Sequence, residues 1–135
     1  MELKHKDHFL TLKLNDFENK LQELVKNKKN MIVHLYGSID SSGRSWCPDC
    51  IVSHPHVEAM KPIVDERYDE KEIYFIDIPE DYDKRSHYKN NPILKERRVP
   101  TLIYYSKGRE MGRIVEDEMS TYESIKEFID QIYED

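Results

Sequence analysis

The spacing of apolar residues predicts one helix and one strand in the first third of the chain. The helix starts after Asn15 or Asp16, either of which can cap it, and its apolar residues recur at helical spacing: Phe17, Leu21, Leu24 and Val25. The strand is Met31–Tyr36, a short apolar run with β-branched and aromatic members that is typical of a buried strand. Residues 1–14 precede both elements and are interpreted as an N-terminal extension.

A second helix and a second strand are predicted in the middle of the chain. The helix begins at Cys47 and has four candidate core residues: Val57, Met60, Ile63 and Val64. Because Pro55 and Pro62 each remove a backbone donor, we expect the helix to be bent or interrupted. Glu72–Ile78 is the next strand, and the polar stretch 79–91 follows it.

The last third of the chain predicts a short helix, a hairpin and a terminal helix. The short helix begins near Pro92. Thr101–Ser106 and Arg109–Val115 flank the turn residues Lys107 and Gly108, which indicates an antiparallel hairpin. The terminal helix has one apolar face formed by Ile125, Phe128, Ile129 and Ile132.

The order of predicted elements is therefore α-β-α-β-α-β-β-α. This order permits right-handed β-α-β crossovers and packs helices against both sides of a sheet. We expect an α/β fold with a central mixed β-sheet of about four to five strands, flanked by helices on both faces. A length of 135 residues fits one domain, assigned to residues 1–135.

Composition excludes several functional classes. The chain has a net charge of -6 and a pI near 5.5, so it lacks the basic surface with which proteins bind nucleic acid or anionic membranes. No apolar run approaches the ~20 residues of a membrane span, and the first residues lack the apolar core of a signal peptide. We expect a cytoplasmic protein with no nucleic-acid or membrane partner.

Both cysteines of the chain lie in Trp46-Cys47-Pro48-Asp49-Cys50. Residues three apart on a helix have Cβ atoms ~5–6 Å apart, so this pair can form a disulfide reversibly. At the start of a helix, free backbone N–H groups and the helix dipole favour the Cys47 thiolate. Cys47 is therefore the candidate nucleophile, and Cys50 is the candidate resolving thiol.

Other residues near the cysteine pair are candidates for tuning it. Pro48 suits an early helical position, and Asp49 places a negative charge that opposes a thiolate nearby. Asp49 can equally be a charge that serves the helix dipole. Trp46 either shapes the groove beside the nucleophile or contacts a partner protein.

A CxxC pattern by itself fits a redox pair, half of a zinc site or two core cysteines. Here the pair follows a predicted buried strand, opens a helix and contains a proline, which favours the redox interpretation. Val99-Pro100-Thr101 begins another strand about fifty residues later. A cis Val99–Pro100 bond would present backbone groups of Val99 to an extended substrate near Cys47, whereas an ordinary trans bond would not.

These residues resemble thioredoxins, and they resemble the thioredoxin domain-containing protein 17 family more closely than thioredoxin itself. The resemblance runs from about Phe17 to the C-terminus and includes Pro55 and Val99-Pro100-Thr101. Its most specific part is the loop together with the cysteine motif: Gly37-Ser38, Asp40, Gly43 and Ser45-Trp46-Cys47-Pro48-Asp49-Cys50. It implies a thioredoxin fold, Cys47 as nucleophile, Cys50 as resolving residue, and no bound cofactor. It further implies a disulfide reductase recharged by thioredoxin reductase with NADPH, whose substrates are cystine, other small disulfides, nitrosothiols or selected protein disulfides.

Two features depart from the family pattern. His34 lies where thioredoxins proper have a buried Asp that assists proton transfer to the resolving cysteine. A histidine can transfer protons near neutral pH, and it can also be a hydrogen-bonded core residue. The stretch 79–91 follows the family only loosely, so it either borders the substrate groove or is a solvated loop.

Two alternative functions remain open. Cys47, Cys50 and His54 lie on roughly one helical face with His56 nearby, which permits a zinc site, although Pro55 separates the histidines and no metal is expected. The second alternative is a binding module in which the redox state of the cysteines controls docking of a partner. We favour a monomeric thioredoxin-like disulfide reductase.

Overall fold

The computed structural model describes residues 2–96 and 98–134, so three residues of the assigned domain, Met1, Arg97 and Asp135, lie outside the described part. The strands found there are β1 Phe9–Thr11, β2 Met31–Gly37, β3 Tyr74–Glu80, β4 Thr101–Ser106 and β5 Arg109–Val115. The helices are α1 Phe17–Lys26, α2 Pro48–Glu66, α3 Arg85–Lys89 and α4 Tyr122–Tyr133. Short 3-10 turns lie at Lys6–His8, Tyr82–Lys84 and Glu116–Met119.

The strands form one mixed sheet in the order β1-β3-β2-β4-β5. β1 and β2 each run parallel to β3, whereas β4 is antiparallel to β2 and β5 is antiparallel to β4. This arrangement confirms the predicted α/β fold with a central mixed sheet. It also places β2, which leads to the cysteines, in the middle of the sheet.

Helices cover both faces of the sheet, as predicted. On one face α1 packs on the strands, with Tyr88 of α3 in the same apolar cluster, and α2 and α4 pack on the other face. The first cluster contains Phe17, Leu21, Leu24, Met31, Val33, Leu35, Ile76, Ile78 and Ile103, and both cysteines contact it. The second contains Ile32, Val57, Met60, Val64, Phe75, Leu102, Ile125, Ile129 and Ile132. Alternate residues of β2 thus feed the two cores, as a strand buried on both faces requires.

The N-terminal segment contains an element that the apolar pattern does not reveal. Residues 1–14 are predicted as an extension, yet Phe9–Thr11 form β1 and pair with Phe75–Asp77 at the edge of the sheet. Asp65 of α2 also accepts hydrogen bonds from the backbone N–H groups of Lys4 and His5, at 2.7 and 2.8 Å. A three-residue strand is too short for its alternation to be recognised, so its pairing depends on the neighbouring β3.

In the middle of the chain, two element boundaries differ from prediction, and the helix expected to be bent or interrupted is not interrupted. α2 runs from Pro48 to Glu66 without interruption, although it contains both internal prolines. Burial of its apolar residues against the sheet outweighs the two missing backbone hydrogen bonds. The second predicted strand lies two residues further on, at Tyr74–Glu80, because its polar end pairs with the last two residues of β2. The short helix α3 begins at Arg85 rather than near Pro92.

The hairpin and both amphipathic helices agree with the sequence pattern. Lys107 and Gly108 connect β4 to β5 with φ angles of 57° and 80°, the left-handed backbone of a tight turn. Thr121 caps α4, since its side chain accepts a hydrogen bond from the Ser124 N–H. Within the described residues, no helix combines the length and the apolar character needed to cross a membrane.

Candidate functional site

The loop between β2 and α2 is held together by Asp40. Its side chain accepts hydrogen bonds from the backbone N–H groups of Ser42 and Arg44, at 2.9 and 3.0 Å, and from the Ser42 hydroxyl at 2.6 Å. The Ser42 hydroxyl and the Arg44 N–H lower the pKa of Asp40. Gly43 supplies the positive φ of 83° that lets the loop turn back toward the sheet. The loop is therefore an ordered approach to the cysteines.

The end of β2 and the start of α2 meet at Gly37. A Cβ atom at Gly37 would lie 2.8 Å from the Cβ of Cys47 and 2.8 Å from the indole of Trp46. The Ser45 hydroxyl donates to the Gly37 carbonyl at 3.1 Å and accepts from the Cys47 N–H at 3.1 Å. The absence of a side chain at Gly37 thus permits the close packing that places Cys47 over the end of the sheet.

Cys47 and Cys50 form a disulfide with Cα atoms 5.3 Å apart. Cys47 is the N-cap of α2, and its sulfur accepts the Cys50 backbone N–H at 3.2 Å. The Cys50 sulfur accepts the Gly37 N–H at 3.3 Å. Cys47 is 6% exposed and Cys50 is fully buried, so Cys47 is the one of the two that retains some contact with solvent. The helix N-terminus and the donated N–H both favour negative charge on the Cys47 sulfur when the pair is reduced.

The backbone at Val99 lies against the Cys47 sulfur. The Val99–Pro100 peptide bond is cis, which is the isomer that the sequence analysis relates to substrate presentation. The Cys47 sulfur lies 3.8 Å from the Val99 carbonyl oxygen. Thr101 is buried, and its hydroxyl donates to the Arg98 carbonyl at 2.8 Å, which fixes the turn before β4. A role of these three residues in substrate binding stays a prediction.

Trp46 is surrounded by residues from the stretch 79–91, which the structure places beside the cysteine pair. Its indole N–H donates to the Glu80 carbonyl at 2.8 Å. The Tyr82 ring meets the indole edge-on at 5.3 Å, and the Arg85 guanidinium lies over it at 4.9 Å. Glu80, Tyr82 and Arg85 were not among the predicted site residues, because only the tertiary fold connects them to Trp46.

Pro48 and Asp49 occupy the first turn of α2 and are exposed. Pro48 suits this position since the first helical residues have no intrahelical acceptor for an N–H. Asp49 lies between the two cysteines in the first turn, where the helix dipole favours its charge. The structure places both where the sequence predicts, and their effect on the cysteine pair stays a prediction.

His34 is a fully buried residue that binds Asp77. Its Nδ1 donates to the Asp77 carboxylate at 3.0 Å, and the Lys61 ammonium binds the other carboxylate oxygen. Burial acts to raise the pKa of Asp77, but the hydrogen bond from His34 and the charge of Lys61 outweigh it and hold the pKa below 3.8. The Nε2 atom of His34 has no partner among the described residues. Proton transfer by this nitrogen stays a prediction.

His54 packs near His34 rather than beside the cysteines as a third ligand. Its ring centre lies 6.1 Å from that of His34 and 5.2 Å from that of Tyr36. Burial and the proximity of His34 lower the pKa of His54. Across residues 2–96 and 98–134, no group of three or more His, Cys, Asp or Glu residues is arranged to hold a metal ion.

Comparison with protein families identifies one matching domain model. The thioredoxin domain of the thioredoxin domain-containing protein 17-like family matches residues 10–131. This range includes β2 to β5, two of the three residues of β1, the loop before α2 and both cysteines. It begins just inside β1, in the segment that the apolar pattern assigns to an extension.

Curated relatives that are similar to the chain include thioredoxin domain-containing proteins and acireductone dioxygenases. Thioredoxin domain-containing protein 17 from Homo sapiens is 33% identical over 91 residues, which is 63% of this chain and 68% of that protein. An acireductone dioxygenase from Leishmania infantum is 34% identical over 83 residues, which is 61% of this chain. The chain spans only 23% to 28% of the length of the acireductone dioxygenases that it matches.

Solved thioredoxin structures share the fold. Oxidised thioredoxin O2 from Arabidopsis thaliana has a TM-score of 0.62 at 17% identity, covering 95% of this chain and 96% of that chain. A thioredoxin from Malassezia sympodialis has a TM-score of 0.64 at 16% identity, covering 93% of each chain. The predicted thioredoxin fold is confirmed.

We expect Gly37→Ala to destabilise the protein by about 1–3 kcal/mol, since the added methyl group overlaps atoms of Cys47 and Trp46. Gly112→Ala is the control: its Cβ would lie 3.7 Å from Phe128, an ordinary contact, and should change stability by no more than about 0.5 kcal/mol. Urea denaturation of the oxidised proteins measures both. Equal effects of the two substitutions would contradict the proposed close packing.

We expect Lys61→Met to cost about 2 kcal/mol at pH 7, because it removes a cation bound to the buried Asp77 carboxylate. A carboxylate with a lowered pKa stabilises the fold above its unfolded pKa, and this stabilisation is lost as the pH falls through the folded value. The cost of Lys61→Met should therefore shrink below pH 3.8. Lys26→Met, at an exposed position, is the control. A cost of Lys61→Met that does not depend on pH would show that Asp77 is not the partner that matters.

Proposed function

The chain belongs to the thioredoxin domain-containing protein 17-like family, and we propose that its specific activity is disulfide reduction. Its cysteine pair makes it a thiol–disulfide oxidoreductase in the general sense. Its substrates in this proposal are cystine, other small disulfides, nitrosothiols or selected protein disulfides. The observation that carries the proposal is the asymmetry of the pair: Cys47 caps the N-terminus of α2 and retains slight exposure, and Cys50, three residues later, is fully buried.

The reaction proceeds in two exchanges. In the reduced protein the Cys47 thiolate attacks one sulfur of the substrate disulfide, forms a mixed disulfide and releases the other half as a thiolate. The Cys50 thiol then loses its proton and attacks the Cys47 sulfur, which releases the second half of the substrate. Two electrons pass to the substrate, whose thiolates take up two protons, and the Cys47–Cys50 disulfide remains. The structure corresponds to this oxidised product.

Individual residues assist these exchanges in defined ways. The Cys50 N–H donates to the Cys47 sulfur and stabilises its negative charge before attack. The Gly37 N–H donates to the Cys50 sulfur and can do the same when that thiolate forms. The Val99 carbonyl beside Cys47 offers an acceptor to a backbone N–H of a peptide substrate.

Reduction of the Cys47–Cys50 disulfide completes the cycle. We assign this step to NADPH through a thioredoxin reductase, with no cofactor bound to the chain itself. A monomer in the cytoplasm, a reducing compartment, is the setting that fits this proposal.

A coupled assay with NADPH and thioredoxin reductase tests the activity and its breadth. Parallel reactions contain cystine, glutathione disulfide, a nitrosothiol or insulin. We expect NADPH oxidation that depends on this protein with at least one of them. Slow turnover with all four, together with redox-dependent capture of one partner protein, would instead favour the redox-controlled binding module.

Substitution of each cysteine by serine should have a different effect on the reaction. We expect Cys47→Ser to lower turnover by a factor on the order of 10³ or more, because no other thiol can start the reaction. Cys50→Ser should accumulate a mixed disulfide, which intact-mass spectrometry after incubation with cystine detects. Since the chain has two cysteines, the adduct in Cys50→Ser can only be on Cys47. Equal residual turnover in both variants would refute the assigned roles.

Asp49 should suppress the thiolate of Cys47. In a Cys50→Ser background, we expect Asp49→Asn to raise the rate of iodoacetamide alkylation near pH 6.5 by about two- to fivefold, since a negative charge is removed beside the sulfur. Asp69→Asn, an exposed position beyond the far end of α2, is the matched control. A lower alkylation rate in Asp49→Asn would contradict the proposed tuning.

A further inference from the structure

Arg85 lies on a short helix that is fixed to the core. α3 is anchored by Tyr88, which is 2% exposed and stacks on Phe17 of α1 with ring centres 5.0 Å apart. The Tyr88 hydroxyl also donates to the Pro79 carbonyl at 3.4 Å, which connects α3 to the end of β3. The first residue of α3 therefore has a defined position relative to the sheet.

Two buried carboxylates hold the Arg85 side chain. Its guanidinium lies 3.2 Å from the Glu96 carboxylate and 3.7 Å from the Glu80 carboxylate. Both glutamate side chains are fully buried, whereas Arg85 is 20% exposed. Burial raises the pKa of Glu96 to about 7, and its carboxyl group accepts the one hydrogen bond that the Arg85 guanidinium donates to a side chain among the described residues. The Glu80 carboxylate accepts no hydrogen bond there, so it acts on Arg85 through its charge at 3.7 Å, and the two contacts together restrict rotation of the guanidinium. Arg85 is thus a cation held at a fixed place inside the fold.

The fixed guanidinium faces the residue next to the nucleophile. It lies 4.9 Å from the ring centre of Trp46, within the range of a cation–π interaction. The Glu80 carbonyl accepts the Trp46 indole N–H at 2.8 Å. Glu80 therefore contacts both groups: its backbone contacts the indole, and its side-chain carboxylate contacts Arg85. Trp46 is half-buried, and these contacts add to its packing against Gly37 and Tyr82.

We propose that Arg85 is a positioning residue that holds the Trp46 indole as a wall of the substrate groove beside Cys47. This inference rests on the proposed disulfide reduction for its kinetic consequence. The wall is assembled from two distant segments, the residue before Cys47 and the first residue of α3. The position of the indole therefore depends on Arg85 and on the glutamates that hold it.

A held indole affects substrate binding more than the chemical step. The substrate contacts the wall before and after attack, so its loss should raise KM and leave kcat nearly unchanged. The effect should be larger for a protein disulfide, which has flanking residues to contact the wall, than for cystine. Arg85 acts on the reaction through Trp46 and touches neither sulfur in this scheme.

Fluorescence tests the position of the indole without any assay of activity. Trp46 is the single tryptophan of the chain, so acrylamide quenching reports on it alone. We expect Arg85→Met to raise the quenching constant of the oxidised protein about twofold, and Arg85→Lys to fall between wild type and Arg85→Met, because an ammonium group keeps the charge but does not stack as a plane. Lys89→Met, which removes a charge from an exposed position of α3, should match wild type.

Removing Arg85 leaves two buried carboxylates without their cation, which can destabilise the protein. Two further variants address this effect. Arg85→Met combined with Glu96→Gln removes one of those charges and should show the same rise in quenching in a better folded protein. Arg85→Lys retains the cation and so tests stacking even if both methionine variants unfold. Wild-type quenching in every folded variant of Arg85 would overturn the proposal.

Kinetics then separate this inference from the proposed function. With insulin as substrate, we expect Arg85→Lys to raise KM by about three- to tenfold at nearly constant kcat, and Lys89→Met to leave both constants unchanged. Changed quenching with no reductase activity in the wild-type protein would refute the proposed function and leave the positioning of Trp46 in place. Changed quenching with wild-type KM for every substrate would overturn the role of the wall.

Discussion

Gly37 ends β2 at the point where Ser45, Trp46 and the cysteine pair fold back over the sheet. Its backbone N–H donates to the Cys50 sulfur, its carbonyl accepts the Ser45 hydroxyl, and the space of its missing side chain is filled by Cys47 and Trp46. These contacts fix the start of α2, and the start of α2 decides which sulfur meets solvent. Cys47 and Cys50 are chemically identical residues in different surroundings. This difference thus originates in the close packing of the Gly37 backbone against the Cys47 side chain.

Two sets of buried charged groups lie near the middle of the fold, and each contains residues of opposite charge. Asp77 lies between His34 and Lys61, and Arg85 lies between Glu80 and Glu96. Both sets use residues from β3, the strand that pairs with β2 along its full length. Burial of such groups is costly unless they are paired, so the two sets restrict the register and rotation of the elements that carry them.

The sequence pattern predicts those parts of the fold that depend on local periodicity. α1, α4, β2 and the β4–β5 hairpin follow from apolar spacing and from turn residues such as Gly108. The cysteine pair and Val99-Pro100-Thr101 are also recognisable, since they occur at the expected places between elements, whereas the sequence leaves open whether the Val99–Pro100 bond is cis or trans, and the structure has it cis. β1 is not, because three residues carry too little pattern and its stability comes from pairing with β3.

Long-range packing decides the features that the pattern misses or misplaces. Two prolines predict that α2 is bent or interrupted, and Val57, Met60 and Val64 keep the helix uninterrupted against the sheet. The polar stretch 79–91 reads as a loop, and its neighbour Trp46 is more than thirty residues away along the chain. No local signal connects Arg85 with that indole, since the contact exists only after β3 has paired with β2 and Tyr88 has docked on α1.

The two outer strands of the sheet bear on how the protein behaves among its neighbours. One edge is the three-residue β1, and the other is β5, which begins with the charged pair Arg109 and Glu110 and is irregularly paired opposite Tyr104 and Tyr105. Unpaired strand edges recruit strands from other molecules, and short, charged or irregular edges resist this. The sheet therefore offers little template for intermolecular strand addition, which favours solubility in a crowded environment while the disulfide opens and closes.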